Sequence, residues 1–245
     1  MKKRKKVRLG IFDIDGTIFR SALFFELFHS LIKRGIFPKR AEKEIEKYYL
    51  PWFHRTGTGE YDLYKNEIIR LFTKYIKGKR KTEIDAVAQE IIASQKNKVY
   101  RFTRDLIRRL KKEDYYLIAV SGSLDDMVRM FCAQFDFDVS FGSHTEVKKG
   151  IFTGKSIDFT SLYNKDRILN TFIKEHDMLV DWEHSIGVGD TEGDIRFLKM
   201  VGRPIAFNPN KALARHAKKK KWTIIVERKN VIYKLKHFSF KDTPV

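Results

Sequence analysis

Short apolar runs and amphipathic helical stripes alternate along most of the chain, and this alternation limits the fold more than any other feature of the sequence. The apolar runs, each about as long as one strand, span residues 7–14, 115–120, 184–188, 204–207 and 223–226. Two parallel strands need a crossover of a dozen or more residues, which a helix supplies. The pattern therefore predicts an α/β fold in which helices flank a parallel sheet.

One long block interrupts this alternation. Between residues 20 and 96, four successive groups of apolar side chains recur at spacings of three and four, which is typical of amphipathic helices. The four groups are Phe24, Leu27, Phe28, Leu31 and Ile32; Ile45, Tyr48, Tyr49 and Trp52; Tyr64, Ile68, Leu71, Phe72 and Tyr75; and Ile84, Val87, Ala88, Ile91 and Ile92. We expect two domains, a core made of residues 1–19 and 97–245 and an inserted helical cap made of residues 20–96.

Three polar clusters follow predicted strands. The sequence Asp-Ile-Asp-Gly-Thr occupies residues 13–17, Ser-Gly-Ser occupies residues 121–123, and Gly-Asp-Thr-Glu-Gly-Asp occupies residues 189–194. Ligands of open parallel sheets bind outside the carboxyl ends of the strands, so we expect the clusters to meet at one edge. Lys165, in the same half of the chain, opens a predicted helix, and a helix start can help to hold an anion.

The first cluster combines two carboxylates with a flexible turn. Asp13 and Asp15 are expected to lie on one face, because a strand has a side-chain period of two. Gly16 permits a turn and Thr17 offers a hydroxyl, an arrangement that suits a cation and a phosphate held together. Each cluster alone is also compatible with an ordinary turn, loop or capped helix end. Their occurrence together favours a functional site.

The four motifs, in this order, resemble those of the haloacid dehalogenase superfamily of phosphohydrolases. Within it, the chain is similar to the phosphoserine-phosphatase-like subfamily, which has a helical cap after the first motif, and residues 201–210 share this similarity. The resemblance covers nearly the whole chain. It implies a Rossmann-like sheet and Mg²⁺-dependent hydrolysis of a small phosphorylated metabolite. Ala22 and Gly193 replace a glutamate and an asparagine usual in that subfamily, so the resemblance predicts the reaction and not phosphoserine as the substrate.

The resemblance also implies a role for each motif residue. Asp13 would be the nucleophile that forms an aspartyl-phosphate, and Asp15 the general acid and then the general base. The implied metal ligands are Asp13, the backbone carbonyl of Asp15, Asp190 and Asp194, the last directly or through water. The implied phosphate-binding groups are Thr17, Ser121, the Gly122 N–H and Lys165.

Some residues near the motifs are weaker candidates. Arg20 could touch the leaving group, although a role at a hinge or a helix start fits it equally well. Trp52, His54 and Arg55 could shape a pocket in the cap, although aromatic side chains at helical spacing more often belong to a core. These alternatives stay open at the level of sequence.

The chain is strongly basic, with a formal net charge of +19. The basic residues gather in residues 2–8, 108–112, 218–221 and 228–241. A positive field attracts anionic partners, so a nucleic-acid-directed phosphatase or a polyanion-binding protein is an alternative function. This alternative ranks below hydrolysis of a small phosphorylated metabolite, because basic runs are usually solvated surface and no nucleic-acid module is recognised in the sequence. A phosphotransferase with the same intermediate is a further alternative.

Cysteine content and hydropathy indicate the compartment. Cys132 is the only cysteine, so no intramolecular disulfide can form and a reducing interior is expected. No stretch approaches the ~20 apolar residues of a membrane helix. The basic start resembles the n-region of a signal peptide, but the apolar run after it is short and is interrupted by Asp13. We expect a soluble, cytoplasmic protein without a membrane span.

Overall fold

The computed structural model describes residues 6–54, 60–155 and 164–236. The strands are β1 Leu9–Phe12, β2 Tyr116–Leu124, β3 Val139–Ser143, β4 Val147–Lys148, β5 Ile151–Phe152, β6 Ile186–Gly189, β7 Arg203–Phe207, β8 Thr223–Arg228 and β9 Val231–Leu235. The helices are α1 Leu23–Lys33, α2 Arg40–His54, α3 Glu60–Ile76, α4 Lys81–Gln95, α5 Arg101–Lys112, α6 Asp125–Cys132, α7 Lys165–Glu175, α8 Ile195–Leu198 and α9 Lys211–Lys220.

Seven strands form one sheet in the order β3-β2-β1-β6-β7-β8-β9. Strand β1 lies inside the sheet and pairs in parallel with β2 and β6, so the carboxyl ends of these three strands meet. Within the described residues, β9 is the strand that joins this sheet antiparallel. The predicted α/β class with a mainly parallel sheet flanked by helices is confirmed. Residues 231–235, within the last basic segment of the sequence, form β9 at the edge of the sheet.

The alternation of side chains along β1 separates two hydrophobic clusters. Leu9 and Ile11 belong to a cluster that includes buried residues of α7, α8 and α9. Phe12 belongs to the other cluster, which includes buried residues of α1 to α6. All four residues of β1 are buried, because helices cover both faces of the sheet.

The four helices predicted between residues 20 and 96 are present as α1 to α4. Their apolar stripes face one another: the ring of Phe24 on α1 lies 4.8 Å from that of Phe72 on α3, and Phe37, between α1 and α2, lies 5.6 Å from Phe72. These helices share a continuous hydrophobic cluster with Phe12 of β1. The boundaries of a separate cap domain therefore stay a prediction.

The two segments that connect the helical block to the sheet are hydrogen-bonded to each other. The Tyr100 N–H donates to the Ile18 carbonyl at 2.9 Å, and the Arg20 N–H donates to the Lys98 carbonyl at 2.9 Å. These contacts hold the start of α1 beside the end of β1. The chain therefore returns to the sheet at the point where it left.

Parts of the sequence-based predictions lie outside the described residues. They are Arg55 as a pocket residue, residues 2–5 of the first basic run and residues 237–241 of the last. In the parts of the chain that the structure describes, no helix combines the length and hydropathy that a bilayer-spanning segment requires.

Candidate active site

Three carboxylates meet at the carboxyl ends of β1 and β6. Asp13 follows β1, Asp190 follows β6, and Asp194 ends the short 3₁₀ helix that comes next. One oxygen from each carboxylate lies within 4.8 Å of the other two. Asp13 is 4% exposed and Asp194 is fully buried. Because β1 and β6 are neighbours, the sheet itself brings these groups together.

Lys165 supplies the cation of this cluster. It is the first residue of α7, as the sequence predicts, and only 4% of it is exposed. Its ammonium nitrogen lies 2.5 Å from Asp13 Oδ1 and 2.6 Å from Asp194 Oδ1. The Lys165 ammonium thus bridges two of the three carboxylates.

One ammonium does not balance three buried carboxylates. Burial raises the pKa of Asp13 to about 7, even though Lys165 acts to lower it. Burial, together with the charges of Asp13 and Asp194, also raises the pKa of Asp190 well above its ordinary range. Burial alone would lower the pKa of Lys165, but Asp13 and Asp194 raise it, so this side chain stays charged. The cluster would be stabilised by more positive charge.

The loop that carries Asp190 is held by Asp194. Asp194 Oδ2 accepts hydrogen bonds from the N–H groups of Asp190 and Thr191, both at 3.0 Å. Gly16, with a φ of +85°, leaves room for this loop, because a β-carbon there would lie 2.2 Å from Asp190 Oδ2. Glycine is therefore needed at position 16 for two reasons, the positive φ of its backbone and the close approach of the Asp190 carboxylate.

Asp15 is held by hydrogen bonds from two other elements. Its Oδ1 accepts from the Leu23 N–H at 2.7 Å, at the start of α1. Its Oδ2 accepts from the Ser121 hydroxyl at 2.5 Å and the Ser123 hydroxyl at 2.9 Å, both on β2. Burial raises the pKa of Asp15, while these hydrogen bonds act to lower it. Ser123 was absent from the sequence-based site, although it lies within the same Ser-Gly-Ser motif.

The structure brings the remaining motif residues to the same place, but not Arg20. The buried Thr17 hydroxyl donates to Asp190 Oδ1 at 3.3 Å, and Gly122 lines the cavity above the carboxylates. The Arg20 guanidinium instead donates to Glu227 Oε1 and the Val99 carbonyl, both at 2.9 Å. Arg20 thus joins the two segments that connect the helical block to the sheet, an arrangement compatible with the alternative role at a hinge.

A cavity of about 1010 Å³ opens from the carboxylates towards the helical block. Its wall on that side includes Phe25, Trp52, Tyr61, Lys65 and Ile69. Of these five, the sequence analysis named only Trp52 as a pocket candidate. The signal for the others is the i, i+4, i+8 spacing of Tyr61, Lys65 and Ile69, which gives α3 a second face beside its core stripe.

The acidic cluster fits a hard divalent cation. Its donors are carboxylate oxygens, which Mg²⁺ prefers. Asp13 Oδ2 is buried and has no hydrogen-bond partner among the described residues, a costly state that a metal ion would relieve. Asp13, Asp190 and Asp194 are the residues that could hold such an ion.

Comparisons with known proteins agree with the predicted family and fold. The sequence model of the haloacid dehalogenase-like hydrolases matches residues 11–199. The chain is 23% identical over 222 residues to a histidinol-phosphatase of Neisseria meningitidis, covering 89% of this chain and 97% of that protein. It is 24% identical over 213 residues to a phosphoserine phosphatase of Archaeoglobus fulgidus, covering 85% of this chain and 55% of that protein. The chain thus spans about half of the second relative.

Solved structures show the same fold. A protein of unknown function from Bordetella pertussis Tohama I superposes with a TM-score of 0.69 at 17% identity, covering 90% of this chain and 98% of that one. A phosphoserine phosphatase, solved as a phospho-aspartyl intermediate analogue, superposes with a TM-score of 0.60 at 22% identity, covering 91% and 95%. At these identities the likeness concerns the fold alone.

Proposed function

The chain belongs to the haloacid dehalogenase-like hydrolase family, and on this premise we propose that it hydrolyses phosphate monoesters of small metabolites with Mg²⁺, through an aspartyl-phosphate on Asp13. The observation that carries the proposal is the buried cluster of Asp13, Asp190 and Asp194 around Lys165. A cluster of this composition holds a cation and an anionic phosphate beside a nucleophile. The names of the two curated relatives, both phosphatases, support the same class of reaction.

Asp13 is the proposed nucleophile. One of its oxygens attacks phosphorus while the bond from phosphorus to the leaving oxygen breaks, which gives an acyl phosphate and the free alcohol. Water then attacks the same phosphorus, the bond to Asp13 breaks, and inorganic phosphate leaves. The Lys165 ammonium, 2.5 Å from Asp13 Oδ1, orients the carboxylate and favours its ionised form.

Asp15 is the proposed acid and base. It gives its proton to the leaving oxygen in the first step and takes a proton from the attacking water in the second. The raised pKa of Asp15 supports the first role, because the carboxyl must carry a proton when the ester binds. Its hydrogen bonds to Ser121 and Ser123 fix it at the end of β2.

The proposed metal ligands are the side chains of Asp13 and Asp190 and the Asp15 carbonyl. Bound Mg²⁺ would offset the repulsion between the carboxylates and the phosphate and polarise the phosphoryl oxygens. Asp194 would act through water, because its two oxygens already accept from Lys165 and from the loop N–H groups. The proposed phosphate-binding groups are the Gly122 N–H, Lys165 and the Thr17 and Ser121 hydroxyls, whose protons would turn from Asp190 and Asp15 to the phosphate.

The test is phosphate release with Mg²⁺ from sugar, amino-acid, nucleotide and lipid-headgroup monoesters. We expect Asp13→Asn to abolish release and Asp105→Asn, at an exposed carboxylate paired with Arg104, to leave it unchanged. Wild-type protein quenched in acid during turnover of a ³²P-labelled ester should carry a hydroxylamine-sensitive label that Asp13→Asn lacks. Full activity in Asp13→Asn would refute the proposed nucleophile.

The labelled ester and a separate nucleic-acid retention assay distinguish the alternative functions. Label that moves to an added alcohol in place of water would identify a phosphotransferase. Retention on DNA or RNA that falls steeply with salt would indicate that the basic surface binds a polyanion. A cytoplasmic location stays a prediction, based on the single cysteine, Cys132, and on the hydropathy of the sequence.

A further inference from the structure

We propose that the site prefers phosphate monoesters whose alcohol carries a planar ring, held against an aromatic wall formed by Phe25, Trp52 and Tyr61. This inference rests on the proposed function and names the substrate class of the same site. The three side chains line the cavity that also contains Asp13 and Asp15. A phosphate held at the carboxylates would therefore direct the rest of the molecule into a space bordered by aromatic faces.

The aromatic wall is continuous and comes from three helices. The ring of Tyr61 on α3 lies 6.1 Å from the ring of Phe25 on α1 and 6.2 Å from that of Trp52 on α2. The angles between the ring planes are 49° and 50°. These distances fall within the range of aromatic contact, so each ring helps to fix the next.

A buried tyrosine supports the wall from behind. Tyr64, only 1% exposed, stacks on Trp52 at 4.9 Å with an interplanar angle of 8°. Its ring also meets Phe25 edge to face at 5.1 Å, and its hydroxyl lies 2.7 Å from His29 Nε2. Because Tyr64 contacts two members of the wall, their rings are oriented before any ligand binds. Such preorganisation favours a rigid planar group.

Tyr61 connects the wall to the reaction site. Its side chain lines the same cavity as Asp13, Asp15 and Asp190. Tyr61 is also 39% exposed, because the cavity beside it is open. A ring one or two bonds from the phosphate would thus lie in the space that Tyr61 and Trp52 border.

Polar side chains that line the cavity form pairs with one another. Lys65 donates to Asp62 at 2.6 Å, and the amide of Asn210 donates to Glu192. Because the charge of Lys65 is paired with Asp62, stacking and apolar contact are the interactions that the wall adds to phosphate binding. The cavity volume of about 1010 Å³ also leaves room for a ring system beyond the phosphate.

The test compares benzyl phosphate with cyclohexylmethyl phosphate and O-phosphoserine. The three leaving groups are all alkyl alcohols, so their chemical reactivity is similar. Cyclohexylmethyl phosphate replaces the planar ring with a puckered one, and O-phosphoserine replaces it with charged groups. We expect kcat/KM for benzyl phosphate to exceed each of the other two by at least about tenfold, equivalent to about 1.4 kcal/mol. Equal or lower values for benzyl phosphate would overturn the inference while leaving the proposed reaction intact.

Two variants locate the preference at the wall. Trp52→Leu and Tyr61→Leu keep an apolar side chain and should each lower the ratio of benzyl to cyclohexylmethyl turnover about tenfold. The matched control is Phe53→Leu, at an exposed ring that stacks on Tyr49 outside the cavity lining, and it should keep the wild-type ratio. The same drop in all three variants would contradict a role for the wall.

Binding separates this inference from the proposed function. If no ester releases phosphate, the proposed reaction fails, and the affinities of benzylphosphonate and cyclohexylmethylphosphonate, measured by calorimetry, still test the wall. Tighter binding of benzylphosphonate by wild-type protein, lost in Tyr61→Leu, supports the inference. Equal affinities would refute it.

Discussion

The buried carboxylates should make the metal-free protein lose stability as pH rises. Burial raises the pKa of Asp13 from its ordinary value of 3.8 to about 7, so the folded chain keeps this proton to a higher pH than the unfolded chain. The stability that depends on the neutral carboxyl is therefore complete below about 4 and lost as pH rises through about 7. The pKa of Asp190 is raised as well and acts in the same direction.

The size of the effect follows from the shift. Relative to the unfolded chain, the folded chain holds about one extra proton on Asp13 over about two pH units between pH 5 and pH 8. Each of these units lowers the free energy of unfolding by about 1.36 kcal/mol, so the loss is about 3 kcal/mol. For a chain of this length each 1 kcal/mol moves Tm by roughly 2–4 °C, which gives roughly 6–12 °C. Solvent does not screen this electrostatic contribution appreciably, because Asp13 is only 4% exposed.

The assay is thermal unfolding of wild type and Asp13→Asn in EDTA at pH 5 and pH 8. Using the difference between the two proteins removes the opposite contribution of His29, whose pKa burial lowers. We expect Asp13→Asn to gain roughly 6–12 °C on wild type as pH rises from 5 to 8. The control is Asp105→Asn, whose exposed side chain pairs with Arg104 and should leave the pH dependence of Tm unchanged.

Mg²⁺ provides the second arm of this experiment. At pH 8 a saturating concentration should stabilise wild type and have a smaller effect on Asp13→Asn, because an ion that binds the folded chain adds to its stability. A Tm difference between the two proteins that is the same at both pH values in EDTA would refute the electrostatic reasoning. An equal gain in Tm from Mg²⁺ in both proteins would refute Asp13 as a metal ligand.

Three further variants test other contacts of the site. Gly16→Ala should lower the affinity for Mg²⁺, measured by calorimetry, at least about tenfold, because the added β-carbon would lie 2.2 Å from Asp190 Oδ2. Ser123→Ala removes a hydrogen bond that lowers the pKa of Asp15, so the alkaline limb of the kcat/KM profile should move to higher pH. Glu227→Gln should lower the free energy of unfolding in urea by roughly 1–3 kcal/mol, because the buried carboxylate accepts hydrogen bonds from Arg20 and two α5 N–H groups. Glu90→Gln, at a surface pair with Arg34, should leave this free energy unchanged.

Periodicity in the sequence predicts the elements and their buried faces, and strand ends predict where the motifs meet. The helix start at Lys165 and the polar residues after β1 and β6 are where the patterns predict them. The location of Arg20 could not be predicted in this way, because its partner Glu227 is 207 residues away in the chain. Contacts between distant residues depend on how elements pack, which local patterns do not encode.

The aromatic wall is a second feature that local sequence patterns could not predict. Tyr64 belongs to the core stripe of α3, and the sequence identifies it as buried. Tyr61, one turn earlier, is on the cavity face, and that face becomes visible only when α3 packs beside α1 and α2. A helical stripe predicts which side of a helix is buried, but a pocket needs the neighbours as well.

Helix α1 connects the aromatic wall with Asp15, the proposed acid. Its first residue, Leu23, donates the N–H that holds Asp15, and the next N–H, of Phe24, donates to the Ser123 hydroxyl. The residue after these, Phe25, belongs to the aromatic wall. A ring that packs on Phe25 therefore contacts the same helical turn that orients the proposed acid. Because a shift of this turn would move both groups, the fit of the leaving group and the position of its proton donor depend on one structural element.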